Sequence, residues 1–414
     1  MFVMLAAVAI AASSCSSDPS PELTESVTVF GPLRGDEARL FMESMAPFEE
    51  RTGIDIRYVG AGSVAQEIKR RAQESDLPDV AILPQPSLVA ALAREGHLVP
   101  LDDETVATVR ENFSPAAVEF TSVDGTPYSV WHSAIVKSLV WYRPDVFSAA
   151  GYEIPQTWAE LMDLTARMES DGFTPWCLSM ESFGASGWVG TDWIEDLVLR
   201  THGPGVYDQW AAGEIPFDDE RIREAFEIFA KIARTPGSVV GGPRRILNTP
   251  WQQADDPMFS DPPGCLLHRQ SESARSHLPP GIEIGVDVDA FALPPIESGP
   301  PPILSGGDLV VAFSDRPEVQ EFLRYLATPE SAEVLAAAGG YTSPHTTFDP
   351  AHYADDLDRW MAGLLREAEV VRFDASDMMH PPVGTRSFWD GMMTLVRTGD
   401  IDAAIAEIQS GYDD

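Results

Sequence analysis

The sequence predicts an α/β protein built from two lobes. Its 414 residues exceed the length at which a single hydrophobic core usually divides. Hydrophobic residues account for 44% of the chain, so a sizeable core is expected and global disorder is not. Strand-like runs alternate with amphipathic helical segments from residue 27 onward. This alternation is typical of a parallel sheet covered by helices on both faces.

The N-terminal part contains three strand-like runs separated by two helical segments. The runs are residues 27–30, 54–59 and 79–83. Asp36 is expected to cap the first helix and Gly53 to follow its last turn, because these residue types are common at the two ends of helices. Parallel α/β sheets bind ligands beyond the carboxyl ends of their strands. Residues 30–31, 60–63 and 83–85 are therefore expected to lie together at one rim.

The middle of the chain is predicted from turn residues and apolar spacing. Residues 123–126 have the sequence Val-Asp-Gly-Thr, which predicts a hairpin turn. The apolar segment 128–142 that follows is expected to be extended. Helices are predicted at 156–169, 191–201 and 219–235.

The last third begins with a segment dense in proline and glycine, residues 293–302, which indicates a crossing or a linker. A strand-like run follows at 303–313. Two helices are expected to begin at Pro317 and Thr328, because proline suits the first turn of a helix and apolar residues recur behind it at helical spacing.

The first fifteen residues indicate export. Met1 to Ala12 form an almost unbroken apolar run that ends in Ser13-Ser14-Cys15. The run is too short to cross a bilayer, which takes ~20 apolar residues, but it suits a secretory signal. It predicts a bacterial lipoprotein signal in which Cys15 becomes the lipidated N-terminus and residues 16–26 form a tether. Against this, the first basic residue is Arg34, and the alternative is an ordinary N-terminus.

The charge balance limits the partners. The chain has 65 acidic and 28 basic residues, a net charge of −37, which repels nucleic acid and anionic lipid headgroups. No nucleic-acid partner is therefore expected. Neutral or cationic ligands suit this charge, although a generally acidic surface that is unrelated to the ligand accounts for it equally simply.

The number and spacing of the cysteines bear on two questions, namely disulfide formation and metal binding. If Cys15 is lipidated, Cys177 and Cys265 remain, and an exported protein is expected to join such a pair in a disulfide. The alternative is two buried free thiols, which sequence spacing alone does not exclude. The sequence has no CxxC, HExxH or Cys/His cluster, so no metal or other cofactor is predicted.

The most unusual segment is 184–193, in which glycines and small residues surround Trp188, Asp192 and Trp193. Indole faces offer rigid apolar area, and a carboxylate accepts strong hydrogen bonds from hydroxyl groups. A sugar ring presents both an apolar C–H face and a rim of hydroxyls, so this segment favours sugar binding. The alternative for any tryptophan is core packing. Further aromatic candidates are Trp141, Trp176, Trp251 and Trp389.

Two other short segments are candidates for recognition. Ser305-Gly306-Gly307-Asp308 follows the proline-rich segment, and its glycines are able to present backbone N–H groups while Asp308 caps or binds. A plain turn is the alternative. Arg269 and Gln270 offer planar donors at the end of a strand-like run, and an exposed loop is the alternative there.

Taken in chain order, these segments resemble the bacterial extracellular solute-binding proteins of the large, maltose-binding-like type, which serve ABC importers. Within that family the chain is most similar to the α-glucoside and oligosaccharide-binding branch. The segments that carry the resemblance are FGPLRGDEARLFMESMAPFEERTGIDIRYVG, LPDVAILPQP, LVWYRPDVF, TPWCLSMES, GWVGTDWIEDLVLR, YDQWAAGEIPF, DPPGCLLHRQ and SGGDLVVAFSDRPEVQEFLRYLATPESA.

The resemblance implies two α/β lobes, each discontinuous in sequence, joined by a three-crossing hinge of the type II periplasmic-binding-protein kind. The crossings are expected near residues 131–136, 302–305 and 342–348. The implied division is 1–26 for signal and tether, 27–133 plus 304–345 for the N-terminal lobe, and 134–303 plus 346–414 for the C-terminal lobe. A ligand cleft lies between the lobes.

The resemblance also implies the function. A lipid-anchored, monomeric receptor would capture an α-glucoside or small oligosaccharide outside the membrane, close around it at the hinge and deliver it to the permease subunits of an ABC importer, without catalysis. Trp188 and Trp193 would stack on the sugar, and Asp192 and Asp308 would hold its hydroxyls. The implied ligand contacts are Glu37, Ser63, Gln85, Trp141, Trp188, Asp192, Trp193, Arg269, Gly307, Asp308 and Arg386.

Two other functions stay open. A receptor of the same fold for a polyamine or peptide suits the acidic composition, and paired tryptophans also bind ammonium groups. A glycosidase would use two carboxyl groups about 5–9.5 Å apart. Carboxylates in a chain of this charge carry little information, however, and the sequence has no GxSxG nucleophile motif.

Overall fold

The computed structural model describes residues 25–61 and 64–413. The strands are β1 (Glu25–Gly31), β2 (Ile54–Gly60), β3 (Val80–Leu83), β4 (Ser122–Val123), β5 (Thr126–Pro127), β6 (Ser129–Val136), β7 (Leu139–Tyr142), β8 (Leu267–Arg269), β9 (Asp289–Ala292), β10 (Ile303–Ala312) and β11 (Val371–Phe373). The α-helices are α1 (Gly35–Thr52), α2 (Val64–Glu74), α3 (Pro86–Arg94), α4 (Asp103–Asn112), α5 (Pro115–Phe120), α6 (Pro144–Ala150), α7 (Trp158–Ser170), α8 (Trp188–Ala211), α9 (Glu220–Arg234), α10 (Gly242–Asn248), α11 (Pro317–Leu326), α12 (Glu333–Ala338), α13 (Asp356–Glu367), α14 (Ala375–Met378), α15 (Phe388–Thr398) and α16 (Ile401–Ser410).

The larger sheet has the strand order β11-β10-β3-β1-β2, and β6 also pairs with β10. β1 is parallel to both β2 and β3, as the strand–helix alternation predicts for this part of the chain. β10 is antiparallel to β3 and β6, so the complete sheet is mixed. The carboxyl ends of β1, β2 and β3 therefore meet at one edge, where ligands of such sheets bind.

The second lobe is mainly helical and is built around a small antiparallel sheet of order β8-β7-β9. Helices α6–α10, α15 and α16 supply most of its hydrophobic core, together with Trp176, Trp193 and Trp210. The first lobe has a separate core around β1, β2, β3 and α1. Two cores of this kind establish the two-lobe α/β architecture.

The chain passes between these two cores at three places. Core membership changes after Ala134, again between Leu304 and Leu309, and again between Phe373 and Ala375. The Ala134 N–H donates a hydrogen bond of 3.0 Å to the carbonyl of Thr342, so the first crossing also contacts a segment that is distant in sequence. The lobe bounds given above stay a prediction.

Local signals explain most helix ends. Gly53 follows α1 with a φ of 73°, a left-handed conformation that glycine adopts readily. The expectation that Asp36 caps this helix is wrong, because α1 begins at Gly35 and Asp36 lies in its first turn. There its charge still interacts favourably with the helix dipole. The side chain of Asp219 caps α9 by accepting from the N–H of Arg221.

The helix predicted at 191–201 is longer than expected. α8 runs from Trp188 to Ala211 and is interrupted by Gly203, which has non-helical φ and ψ before Pro204. The predicted hairpin joins β4 to β5 through Asp124 and Gly125, both at positive φ, as primed hairpin turns require.

Cys177 and Cys265 are joined in a disulfide with a Cα–Cα distance of 5.4 Å, and both are buried. The Cys177 N–H donates to the carbonyl of Leu267, so the bridge lies beside β8. Cys15, the predicted lipidation site, is outside the described residues. Within the described part of the chain, the helices lack the length and apolar character needed to cross a bilayer.

Candidate ligand-binding site

A cavity of about 460 Å³ lies between the lobes. Glu37 and Phe41 of α1 and Asp308 of β10 border it from the first lobe, and the 3₁₀ turn Glu272–His277 contributes second-lobe residues such as Ser276. The structure thus brings together two of the predicted ligand residues, Glu37 and Asp308. Their carboxylates and the neighbouring apolar side chains suit a ligand that has both hydroxyl groups and an apolar face.

Asp308 accepts a hydrogen bond of 3.0 Å from the Ser133 hydroxyl. Burial raises the pKa of Asp308 to about 6, the Ser133 hydrogen bond lowers it, and the charge of Glu37 raises it. Near neutral pH, Asp308 is therefore mostly an acceptor-only carboxylate, which suits the hydroxyl groups of a ligand.

The segment Ser305-Gly306-Gly307-Asp308 is not a turn, because it lies inside β10 and is paired with β6. Gly307 has a φ of 137°, and a Cβ there would lie 1.9 Å from the carbonyl oxygen of Ser133. Gly307 therefore packs against β6 and does not contact a ligand as predicted. Its role is to allow β6 and β10 to approach each other closely.

A row of three aromatic rings adjoins the 272–277 turn of the second lobe. Trp188 begins α8, is partly exposed, and packs edge-on against Trp251 at 5.1 Å between ring centres. Trp251 contacts the ring of His277 at 4.8 Å. Burial lowers the pKa of His277, while the charges of Asp255 and Glu37 raise it. The charge of Glu37 in the first lobe therefore acts electrostatically on the end of this aromatic row.

Trp141 and Trp193 do not line the cleft, and their predicted stacking role is wrong. Both are 1% exposed. Trp193 packs edge-on against Trp176 at 5.3 Å, and Trp141 donates its indole N–H to the carbonyl of Gln270 at 3.2 Å. Their ring faces are covered by protein, so they stabilise the second lobe instead of contacting a ligand.

Asp192 and Arg269 belong to a buried ionic network. Asp192 is 1% exposed and accepts a hydrogen bond of 2.9 Å from Lys137 Nζ. Arg269 lies 3.5 Å from the second oxygen of Asp192 and also pairs with Asp196. The prediction that Asp192 and Arg269 contact the ligand directly is therefore wrong, because both side chains are buried and paired with other residues of the second lobe. Their charges are neutralised within the protein, as buried charges require.

Lys137 belongs to this network, although the sequence analysis did not identify it as a site residue. Its ammonium group contacts both Asp192 and Asp374 and lies 5.8 Å from the ring centre of Trp188. Lys137 is the only lysine, arginine, aspartate or glutamate in the apolar segment 128–142. A lysine in such a segment needs a charged partner when it is buried, and this pattern could have identified it. Lys137 connects the ionic network to the aromatic row.

The protonation states follow from burial and pairing. Burial alone would raise the pKa of Asp374, but Lys137 and other hydrogen-bond donors lower it to about 2. Burial and the charge of Asp374 raise the pKa of Glu195 well above its usual range, so the site favours the neutral form of this carboxyl. Oxygens of Asp192, Glu195 and Asp374 lie within 4.8 Å of one another, and Lys137 is the cation that this group holds.

The remaining predicted residues lie around the cleft or outside the described chain. Gln85 precedes α3 in the first lobe. Burial and the charge of Asp374 raise the pKa of Asp377 in the second lobe well above its usual range, and the side chain of Gln85 lowers it slightly. Arg386 is exposed in the π-helical turn Val383–Ser387. Ser63 is outside the described residues.

Comparisons with known proteins agree on one family. The profile described as bacterial extracellular solute-binding protein matches residues 34–333. The osmoprotective compounds-binding protein GgtB of Synechocystis sp. is 44% identical over 93% of this chain and 92% of its own length. The α-glucosides-binding periplasmic protein AglE of Rhizobium meliloti is 37% identical over 94% of this chain and 87% of its own.

Solved structures share the fold at low sequence identity. The apo form of RafE from Streptococcus pneumoniae superimposes with a TM-score of 0.74 at 18% identity, covering 95% of this chain and 99% of that one. Maltose-bound MalE3 of T. maritima superimposes with a TM-score of 0.70 at 15% identity, covering 94% and 100%. These likenesses extend over both lobes.

Proposed function

The chain belongs to the bacterial extracellular solute-binding protein family, and we propose that it is the lipid-anchored receptor of an ABC importer for an α-glucoside or small oligosaccharide. The names of GgtB and AglE, an osmoprotective compounds-binding and an α-glucosides-binding protein, support this ligand class. Its partners would be the sugar, the permease subunits and, through Cys15, the membrane. It would act as a monomer and bind its ligand without chemical change.

The observation that carries the proposal is the pairing of two surfaces across the cleft. The carboxylates of Glu37 and Asp308 border the cavity, and the half-buried rings of Trp188 and Trp251 continue from His277, the last residue of the turn that borders it from the second lobe. A sugar would place its C–H face on an indole and its hydroxyls on the carboxylates. Neutral hydroxyls suit this arrangement better than an anion, which the carboxylates would repel.

Closure of the lobes would make such binding tight. A ligand shifts a two-state equilibrium only as far as its affinity differs between the states. A sugar that contacts Glu37 in one lobe and Trp188 in the other satisfies this condition, because both contacts form together only when the lobes are close. The effect of Gln85 on the pKa of Asp377 is a further interaction between the two lobes.

We expect calorimetry on a soluble form that begins at Ser16 to detect saturable binding of one sugar among trehalose, sucrose, maltose and glucosylglycerol. The melting temperature should rise with that ligand, since a ligand at 100 times its Kd stabilises the native state by about 2.7 kcal/mol. Galactose serves as a sugar control. Binding heat with spermidine or a peptide, and no binding heat with any sugar, would contradict the sugar proposal and identify the protein as a receptor for another solute.

The lipid anchor requires its own test. We expect the full chain, produced in bacterial cells, to incorporate labelled palmitate and to partition into the detergent phase. Cys15→Ser should abolish both properties while leaving ligand binding unchanged, because Cys15 lies before the first lobe. The lipid-anchor proposal would be contradicted if the wild-type protein incorporated no palmitate and stayed in the aqueous phase.

A further inference from the structure

Glu272 connects three segments that are distant in sequence. Its Oε2 accepts a hydrogen bond of 2.8 Å from the Thr342 hydroxyl and a longer one of 3.4 Å from the Val136 N–H. Val136 ends β6, where the chain leaves the first core, and Thr342 is bonded to Ala134 of the same strand. One carboxyl oxygen therefore joins the start of the 272–277 turn to the end of β6, where the chain leaves the first core, and to Thr342 beside it.

A second link attaches the same turn to the same part of the hinge. Arg275 pairs with Asp355 and Asp358 at the start of α13. Asp358 in turn accepts a hydrogen bond of 3.1 Å from the Gly340 N–H. Because Glu272, Ser273 and Ser276 also border the cavity, these contacts connect the cavity wall to residues 340–342.

We propose that Glu272 is a positioning residue that ties the ligand-facing turn to the hinge, and that burial of its neutral carboxyl group favours the tied arrangement, whereas ionisation favours release of the group to solvent. The proposal extends beyond sugar binding, since it concerns how the lobes are held. The hinge part of the proposal does not depend on which solute the protein binds.

The electrostatic surroundings support a neutral carboxyl. Glu272 is 8% exposed, and burial raises its pKa to about 8 against the lowering effect of its hydrogen bonds from Thr342 and Val136. Asp358 raises this pKa further, and Arg275 lowers it only weakly, since Arg275 is already paired with two aspartates.

The other titratable groups that face Glu272 do not change charge in the same range. Burial raises the pKa of Tyr353 to about 12 and that of Tyr341 well above its usual range. Both phenols therefore stay neutral from pH 6 to 9. These pKa values determine the direction in which pH changes the stability of the tied state. A group that prefers its neutral form in the tied state favours that state at low pH, and this preference is lost as pH rises through 8.

Hydrogen exchange of peptides that span residues 131–138 tests the tie without a ligand, because this segment contains the Ala134 and Val136 amides. Protection is expressed relative to the intrinsic exchange rate at each pH. We expect protection in the wild type to fall roughly tenfold between pH 7 and 9. Glu272→Gln should show protection at pH 7 that is at least as high as in the wild type, and no fall between pH 7 and 9.

Two further variants make the result decisive. Thr342→Val removes the hydroxyl donor and should lower protection at both pH values with an unchanged melting temperature. Glu283→Gln changes an exposed glutamate of the same lobe and should behave as wild type. Equal pH-dependent losses in wild type and Glu272→Gln, or full protection in Thr342→Val, would overturn the proposal.

Calorimetry with maltose as the probe adds a functional measurement that rests on the proposed sugar-binding function. Affinity in the wild type should fall by about tenfold from pH 7 to 9 and stay constant in Glu272→Gln. If maltose gives no heat, the ligand assignment fails while the exchange experiment still decides the role of Glu272.

Discussion

Replacement of Asp196 by asparagine is expected to destabilise the second lobe by about 3–5 kcal/mol, the usual cost of removing one partner from a buried ion pair. The carboxylate of Asp196 lies between Arg200 and Arg269, and all three side chains are 0% exposed. Without its charge, two guanidinium groups would remain buried and would repel each other. No solvent is available at this position to replace the lost partner.

The effect should extend to the hinge, because Arg200 also donates hydrogen bonds of 2.8 Å and 3.0 Å to the carbonyl oxygens of Leu293 and Pro302. These residues bound the proline-rich segment that leads into β10. A loss of order around Arg200 would therefore loosen the entry into the second crossing, and ligand affinity would decrease together with stability.

Urea denaturation of the wild type and Asp196→Asn measures this change. Glu104→Gln is the matched control, since Glu104 is 79% exposed and pairs with Arg324 on the surface. Its expected cost is about 0–1 kcal/mol, the usual range for exposed pairs. A loss below 1 kcal/mol for Asp196→Asn would contradict the view that this network stabilises the lobe.

Local sequence patterns were sufficient for the strand–helix order of the first lobe. The alternation that yields β1, α1, β2, α2 and β3 is set by residues that are neighbours in the chain, so periodicity and helix-end glycines detect it. The direction of β10 was not accessible in this way. It depends on a strand that returns from the second lobe and pairs with β3 and β6.

The candidate site was only partly predictable for a related reason. Glu37 and Asp308 were named from family resemblance, and both border the cavity. Trp188 and Trp193 are five positions apart in one helix, but Trp193 is buried in the core around Trp176, whereas Trp188 packs against that core and stays partly exposed. Spacing within a segment does not say which side the rest of the protein covers. Tertiary packing decides this.

The difference between these two tryptophans leads to the second large expected effect. Trp188→Ala should lower the affinity for the bound α-glucoside by about thirty- to a hundredfold, roughly 2–3 kcal/mol, because it removes a large aromatic contact surface. Trp188→Phe should fall between the wild type and Trp188→Ala, since a smaller ring still stacks. Calorimetry with the sugar identified in the ligand screen measures both.

Trp193→Phe is the matched control, because Trp193 is an aromatic residue of the same helix that lies in the core. We expect it to lower the free energy of unfolding by roughly 1–3 kcal/mol through the cavity it leaves, with little change in affinity. Equal losses of affinity in Trp188→Ala and Trp193→Phe would mean that both act through folding. A Trp188→Ala variant that binds within threefold of the wild type would exclude stacking on this ring and leave Trp251 as the aromatic residue that contacts the sugar.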